Sequence, residues 1–558
     1  MAKTVYIKTA LTGGTLDALD GIDGANLLDG DVAYVYVNGI KYEYVLDDDS
    51  GAAEDSPNVI APDTNAGDKR WILQGATFET LKQTTGAALG KVPVSDADGN
   101  LTLSYRPLEN LLDNSGFGVW SNGTLADYTD ANTGFSQLVT NGGFDTDTTG
   151  WTAGNGATLA SVTGGQSGNA LEITEAGTAN PYAYQAITTE VGKLYRLKFY
   201  CSPGTEATFD VKVGTSAGGD EVTSYGHTEA VDWSTEYSIV FEATATTTYI
   251  SLYQIAGAGS GTTILFDTIT LSEVTPACVE ADNKGPDGWW KDLDASLYRM
   301  ESDKEGSFYM IKAVTNSSGA GWIASHSGIY NKEHLYKEFT GRTVAFGCWV
   351  KTSTASHVRL AVNDGSITYS NYHSGSGSWE WLELTYTVSS SNTRFNVVVF
   401  FNQLSAVAYI SQPMLVLGSS IGEGNYAPKP NETIWFESAV ESNKFHGVHG
   451  WSSVTGNTLL NLEADSNGAI PKGAKAVFIT GVIRDSGSSL ANAYVDFASG
   501  TNLQILSIDV SGKADDFYGM NNGFVGCTSD GNIYYRIFAS GASTLDFLVL
   551  KYLGVQLR

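Results

Sequence analysis

Apolar residues come along this chain in short bursts that alternate with polar ones, and Gly, Asn, Asp, Ser and Thr fill the gaps between bursts. Val32-Ala33-Tyr34-Val35-Tyr36-Val37 and Tyr42-Glu43-Tyr44-Val45-Leu46 are two such runs, and Asn38-Gly39 lies between them. Both turn residues tolerate positive φ, so the pattern predicts a tight β-hairpin. The strand Arg70 to Leu73 follows a loop rich in Asp, Ala and Pro. Similar runs recur to the end, including Leu194 to Tyr200, Thr343 to Val350, Arg394 to Phe400, Ala476 to Ile483 and Leu545 to Leu553. Helical periodicity is scarce, and Asn331 to Phe339 is the one stretch that predicts a short helix. The fold class read from this pattern is all-β, a string of small β-domains.

Five regions follow. Residues 1–75 form a small N-terminal β-domain. Residues 76–107, where Gly, Thr, Ala and Asp dominate, read as an extended linker. A doubled signal comes next: Asn110-Leu111-Leu112-Asp113-Asn114-Ser115-Gly116-Phe117, then Leu138-Val139-Thr140-Asn141-Gly142-Gly143-Phe144-Asp145. The second copy runs on to a complete sandwich over 137–275, ending in Ile264 to Leu271. The first has no room to finish before the second begins, and its continuation starts only at Gly285-Pro286-Asp287-Gly288-Trp289-Trp290. This predicts a discontinuous sandwich, 108–136 with 276–428, carrying 137–275 as an insert in an early loop. In the alternative, the first copy is linker and the sandwiches stand in tandem. Pro428-Lys429-Pro430 then marks a stiff boundary before a C-terminal β tip domain, 431–558.

Composition narrows the function classes. With 61 acidic against 32 basic residues the formal charge is −29, which disfavours nucleic acid, whose binding rests on Lys and Arg neutralising phosphates. Cys201, Cys278, Cys348 and Cys527 show no metal-type spacing and read as free thiols, suiting assembly in a reducing cytoplasm. The N-terminus has no secretory h-region, and the longest apolar runs are too short for a membrane span, so no membrane insertion is expected. No GxSxG, HExxH, Walker or GxGxxG context occurs, and no carboxylate pair is placed for glycoside hydrolysis. A non-enzymatic protein is therefore expected.

Two resemblances give these domains a direction. Gly86-Ala87-Ala88-Leu89-Gly90-Lys91-Val92-Pro93-Val94-Ser95-Asp96, and Pro57 to Pro62 running into Lys69-Arg70-Trp71, resemble segments of bacteriophage tail fibre proteins, over about the first hundred residues. The two openings at Asn110 and Val139 resemble the first strand of jelly-roll sandwiches similar to carbohydrate-binding modules. The resemblance implies a structural tail fibre or receptor-binding protein located in the virion. It implies a homotrimer whose N-terminus holds other tail or baseplate proteins and whose other domains meet a host surface glycan or protein. The alternatives are a tailspike-like enzyme that degrades polysaccharide, or a cellular glycan-binding adhesin.

Sandwiches of this kind often tie first and last strands with calcium, and the matching positions are Asp145 and Asp267, with Asn141 nearby. Solvated turn aspartates are the alternative. The host shows Gly118 and Gln412 at those places, without the charge. Trp151, Trp289 and Trp349 are expected in cores, whereas Tyr225, His227, Trp233 and Trp379 lie in turn-rich stretches. In the last domain Tyr494, Tyr518, Asn521 and Asn522 are the candidates for receptor contact, by stacking and amide hydrogen bonds.

Overall fold

The structure, a computed structural model, describes residues 3–37, 40–78, 91–95, 101–105, 109–127, 137–230, 232–279, 283–317, 319–325, 333–489, 491–500 and 506–558. It divides into two compact units, 1–106 and 107–558. Strands dominate and pack as β-sandwiches, so the chain is all-β. Among the described residues no helix is long and apolar enough to cross a membrane.

The first unit is a five-stranded sheet. Val5–Lys8 pairs in parallel with Val32–Val37, and the remaining pairs are antiparallel. Val37 sits opposite Ile40, which leaves two residues for the turn, as the Asn38-Gly39 pair predicts; those two lie outside the described residues. Alternation sends Tyr44, Leu46 and Trp71 into one core with Leu19 and Ile60, and the Tyr44 hydroxyl donates to the Pro57 carbonyl at 2.7 Å. The expected linker needs correction where it is described. The strand Arg70–Phe78 runs into it, and Lys91–Ser95 pairs with Leu101–Tyr105 as a hairpin. Alternating Val92, Val94, Leu101 and Leu103 supply the strand pattern that Gly and Asp had masked. The rest of 76–107 lies outside the described residues.

In the second unit Leu112, Phe117 and Trp120 lie in one core with Trp289, Phe346, Val397 and Leu415. The Leu111 N–H donates to the Leu415 carbonyl at 2.9 Å, and the Asn110 side chain bonds the Pro413 carbonyl at 3.0 Å. Residues 128–136 are outside the described set. The region 137–275 has its own core, including Phe144, Phe199, Phe209 and Phe266. Its last strand does not stop at 275: Thr263–Cys278 is continuous, and beyond Leu271 it pairs with Thr124–Asp127 and with Tyr298 and Leu297 of the host. One strand therefore serves both sandwiches.

The segment predicted as helix carries a short α-turn, Glu333–Tyr336, and a 3₁₀ turn, Lys337–Phe339; residues 331 and 332 lie outside the described set. A second turn of helix, Leu462–Asp465, was not legible in the sequence; Asn461 caps it by accepting from the Ala464 N–H at 2.9 Å.

Residues 433–556 form two four-stranded sheets around Phe445, Ile479, Val495 and Tyr552. The expectation of a tip set apart by Pro428-Lys429-Pro430 is corrected by its contacts. Lys429 pairs with Asp113 at 2.6 Å, Val119 enters the C-terminal core, and the buried Arg299 guanidinium pairs with buried Glu463. The Tyr309 hydroxyl donates to the same carboxylate at 3.1 Å. A buried ion pair is tolerated only when its remaining polar atoms are satisfied. Arg299 meets this by donating to the carbonyls of Gly118 and Gly468 at 3.1 and 2.8 Å.

Candidate functional site

The host sandwich has an outward sheet face unlike an ordinary solvated one. Its strands are Trp289–Lys291, Gly321–Ser325, Asn396–Phe401, Val358–Asn363 and Ile367–Tyr372, paired in that order. Side chains alternate across a strand, so Val397, Val399 and Phe401 enter the core while Asn396, Val398 and Phe400 turn outward. Register builds rows across this face: Trp322 beside Phe400, Phe400 beside Arg359, and Ala324 beside Val398 beside Ala361. Small residues make the floor and Trp290, Trp322, Phe400 and Leu293 stand higher, which leaves a trough of about 470 Å³. That lies within the usual range for small-ligand sites.

Polar groups enter the trough at both ends: Asp292, whose N–H donates to the Trp322 carbonyl, at one, and Asn363 and Asn396 at the other. Asn396 faces Asn363 across the strand pair. Asn396 is only 8% exposed, and its side-chain carbonyl has no hydrogen-bond partner. An unmet buried acceptor costs about 1–3 kcal/mol, a cost the fold itself carries behind the trough wall, since this oxygen is closed to solvent. Flat aromatic walls, a narrow floor and amides at one end suit a pyranose ring, whose faces are apolar and whose edge is a belt of hydroxyls. Sequence reasoning missed this site. The available signal was Asn396-Val397-Val398-Val399-Phe400-Phe401, which is apolar in both registers and so leaves an apolar outward face.

The insert shows the same face treated differently. Tyr182, Tyr184, Tyr249 and Tyr253 project from the strands Tyr182–Thr188 and Thr247–Gln254, and Tyr182 stacks on Tyr253 at 4.5 Å. A loop from Thr215 to Glu221 lies on Tyr182 and Tyr253. The Gly218 N–H donates to the Ser251 hydroxyl at 3.0 Å, and the Tyr253 hydroxyl donates to the Gly218 carbonyl at 2.8 Å. Glu221 holds the loop by accepting from the Thr215 N–H at 3.0 Å and the Ser216 hydroxyl at 2.8 Å.

Of the calcium candidates, Asp145 and Asp267 meet at one turn and Asn141 does not join them. Asp145 accepts from the Asn169 N–H at 3.3 Å. Asp267, fully buried, accepts from the N–H groups of Ser167 and Thr268 at 2.9 and 2.5 Å. Burial raises its pKa against these bonds, and the Asp145 charge adds to the rise. Asn141 instead donates to the carbonyls of Asp147 and Thr149 at 2.9 and 3.1 Å. Among the described residues no group of three or more His, Cys, Asp or Glu is placed to hold a metal. This donor set fits a pair of turn-bracing carboxylates better than a calcium cradle, which takes 6–8 oxygens.

The C-terminal candidates do not form one site. Tyr494 lies on one sheet and stacks on Phe538 at 4.4 Å, while Tyr518, Asn521 and Asn522 lie on the other. Tyr518 and Asn522 share the outward side, but Asn521 turns back to donate to the Ser507 carbonyl at 2.7 Å. Trp151, Trp289 and Trp349 are buried. Tyr225 packs with Phe209 inside the insert, Trp233 donates to the Gly164 carbonyl, and Trp379 donates to Asp303. The side chain of His227 lies outside the described set. All four cysteines are free thiols.

No family model and no curated protein matches this chain. Among solved structures it is similar to the tandem CBM22-1-CBM22-2 domain of Xyn10C from Paenibacillus barcinonensis, at 11% identity over 52% of this chain and 100% of that one, TM-score 0.23. A CBM4 structure matches at 24% identity over 24% of this chain and 99% of that one, TM-score 0.20. The enzymatically active domain of bacteriophage CBA120 tailspike protein 4 matches at 13% identity over 25% of this chain and 21% of that one, TM-score 0.20.

Proposed function

We propose that this chain is a non-enzymatic bacteriophage tail fibre or receptor-binding protein that holds a host surface glycan in the trough of its host sandwich. The observation that carries the glycan reading is the open trough walled by Trp290, Trp322 and Phe400, with Asn363 and Asn396 lining one end. The tail assignment rests on the fibre-like text of the first hundred residues, and the homotrimer and the N-terminal attachment to tail or baseplate proteins rest on the same resemblance. The continuous strand Thr263–Cys278 and the Arg299–Glu463 pair support a rigid arm that presents the trough.

Affinity electrophoresis of the purified chain through gels containing host surface polysaccharide tests the reading. Retardation is expected, with no shortening of the polymer on incubation. Unretarded migration through polysaccharides of every susceptible strain would overturn the glycan assignment, and shortening of the polymer would replace binding by hydrolysis. Imaging of native particles, labelled on this chain, tests the tail location.

A further inference from the structure

Beside the trough stands a cation of unusual placement. Arg359 projects from Val358–Asn363 on the outward face, with Phe400 opposite it on one neighbouring strand and Tyr372 on the other. Its guanidinium lies 3.5 Å over the Tyr369 ring and 4.7 Å from the Tyr372 ring. Tyr369 in turn meets Phe400 edge to face at 5.4 Å. The group is thus fixed by aromatic rings next to the trough wall. In the same compact unit Arg196, Arg299, Arg484 and Arg536 each pair with a carboxylate. Arg359 has no such partner: no hydrogen bond or ion pair ties it to any described residue, and its Nε is buried without one. In a chain with 61 acidic residues against 32 basic, Arg359 presents a cation beside the trough that aromatic rings hold and no carboxylate neutralises.

We infer that Arg359 reads a carboxylate on the glycan, so that the trough selects sugars bearing a uronic acid. The inference rests on the glycan reading of the trough. Stacking on tyrosine holds the planar guanidinium while leaving its in-plane N–H donors to meet a planar carboxylate, and the fork geometry suits two parallel hydrogen bonds. Neighbouring strands lie about 4.8 Å apart, so a sugar ring on Phe400 has its C6 substituent within reach of Arg359. The chain's −29 charge works against densely charged polyanions, so the ligand class is a glycan with isolated acidic sugars. Repulsion from distant carboxylates is screened beyond about 8 Å at physiological salt, whereas the contact with Arg359 is not.

Calorimetry on the full chain tests this with a tetrasaccharide of glucose carrying one glucuronate, and the same sugar with its carboxyl reduced to an alcohol. A charge-assisted pair predicts about ten-fold or greater preference for the acidic form. Arg359→Gln removes the preference, and its continued binding of the reduced sugar reports that the face is folded. Arg359→Lys keeps only part of the preference, because a point charge replaces the fork. Equal binding of the two sugars by the unmodified chain, or a preference that survives in Arg359→Gln, overturns the inference and leaves the glycan reading standing. Binding of neither sugar by an unmodified chain that host polysaccharide retards overturns the uronate inference alone, and a chain that host polysaccharide does not retard overturns both.

Discussion

The two sandwiches of the second unit share an architecture and differ in what they do with one face. In the host the outward sheet is open, walled by tryptophan and phenylalanine, and left with an acceptor on Asn396 and a cation on Arg359 that the protein does not satisfy. In the insert the corresponding face carries four tyrosines, and a loop pinned through Gly218 uses the Tyr253 and Ser251 hydroxyls. Aromatic content alone therefore does not mark a binding face. The distinguishing feature is whether a loop of the chain already lies over the rings. In the insert Tyr182 and Tyr253 are covered by the chain's own loop, whereas the host's trough is left open.

The host also differs in how it is joined, and this gives the largest expected effect. Asp287 and Glu432 lie in its seam with the C-terminal domain, 2% and 3% exposed. Burial pushes Asp287 up to about 6 against two bonds from Ser121, and pushes Glu432 up to about 7 against the Asn114 N–H. Asp113 adds to the rise at Glu432, while Arg558 and Lys429 oppose it; Glu437 adds to the rise at Asp287. Both folded values stand above the ordinary 3.8 and 4.5. The stability they contribute is therefore full below the ordinary carboxylate range and is lost as pH rises through 6 and 7, roughly 3 kcal/mol for each group. Urea midpoints should fall between about pH 4 and pH 7 and level off above it. Glu432→Gln, which keeps an acceptor for Asn114, should flatten about half of that slope; an unchanged slope would move the titration elsewhere.

The next effect sharpens the contrast between faces. Trp322→Ala and Phe400→Ala each remove a wall of the trough and should weaken glycan binding by about ten- to a hundred-fold, the scale of a lost aromatic contact of about 1–3 kcal/mol. Tyr184→Ala in the insert should leave that affinity where it was. Gel retardation measured for the three variants decides the matter. Equal losses from Tyr184→Ala and Phe400→Ala would erase the distinction between an open face and a closed one.

How much of this was legible in the sequence follows from which signals are local. Strand alternation and the Asn-Gly turn are written in adjacent residues, so the all-β class could be read directly. The doubled Asn-Leu and Asn-Gly-Phe openings pointed to a nested chain, and the structure puts Leu112 and Phe117 in one core with Trp289. The site was not legible, because it depends on register between strands far apart in sequence. Phe400 meets Trp322 on one side and Arg359 on the other only through pairing, and nothing near Asn396 in sequence announces that its carbonyl lacks a donor. Trp289-Trp290 illustrates the limit: adjacent residues on a strand face opposite ways, so one indole is core and the other lines the trough. The C-terminal candidates show the same limit, since residue type suggested contact while register divides them between two sheets.

A third effect concerns the turn that closes the insert. Asp267→Ala removes an acceptor from two backbone N–H groups in a buried place, and each N–H left unmet costs about 1–3 kcal/mol. The variant should melt several degrees lower. Chelator should leave the melting temperature of the unmodified chain in place, since protein N–H groups already occupy this carboxylate. A chelator-dependent drop that Asp267→Ala abolishes would restore a calcium site at Asp145 and Asp267, because an ion bound only by the folded form stabilises it.

The smallest effect is the most direct test of the closed face. Gly218 sits at φ +77°, and a Cβ there would stand 2.7 Å from the Tyr253 hydroxyl and 2.8 Å from that of Tyr182. Gly218→Ala must therefore lift the loop or displace both rings. Left-handed backbone costs a non-glycine residue about 1 kcal/mol, and the loop gives up two hydrogen bonds that contribute about 1 kcal/mol each. The expected result is a loop released from the tyrosines with the sandwich still folded, because the core under Phe199 and Phe209 is untouched. Faster hydrogen exchange should appear at Gly218 and Gly219, with no change at the strand Leu194–Pro203. If the exposed tyrosines then bind the glycan that the trough binds, closure by the loop is what separates the two sandwiches. If they bind nothing once uncovered, the difference lies in the rings themselves: the host's indoles make the site, and the tyrosine face is a packing surface for its own loop.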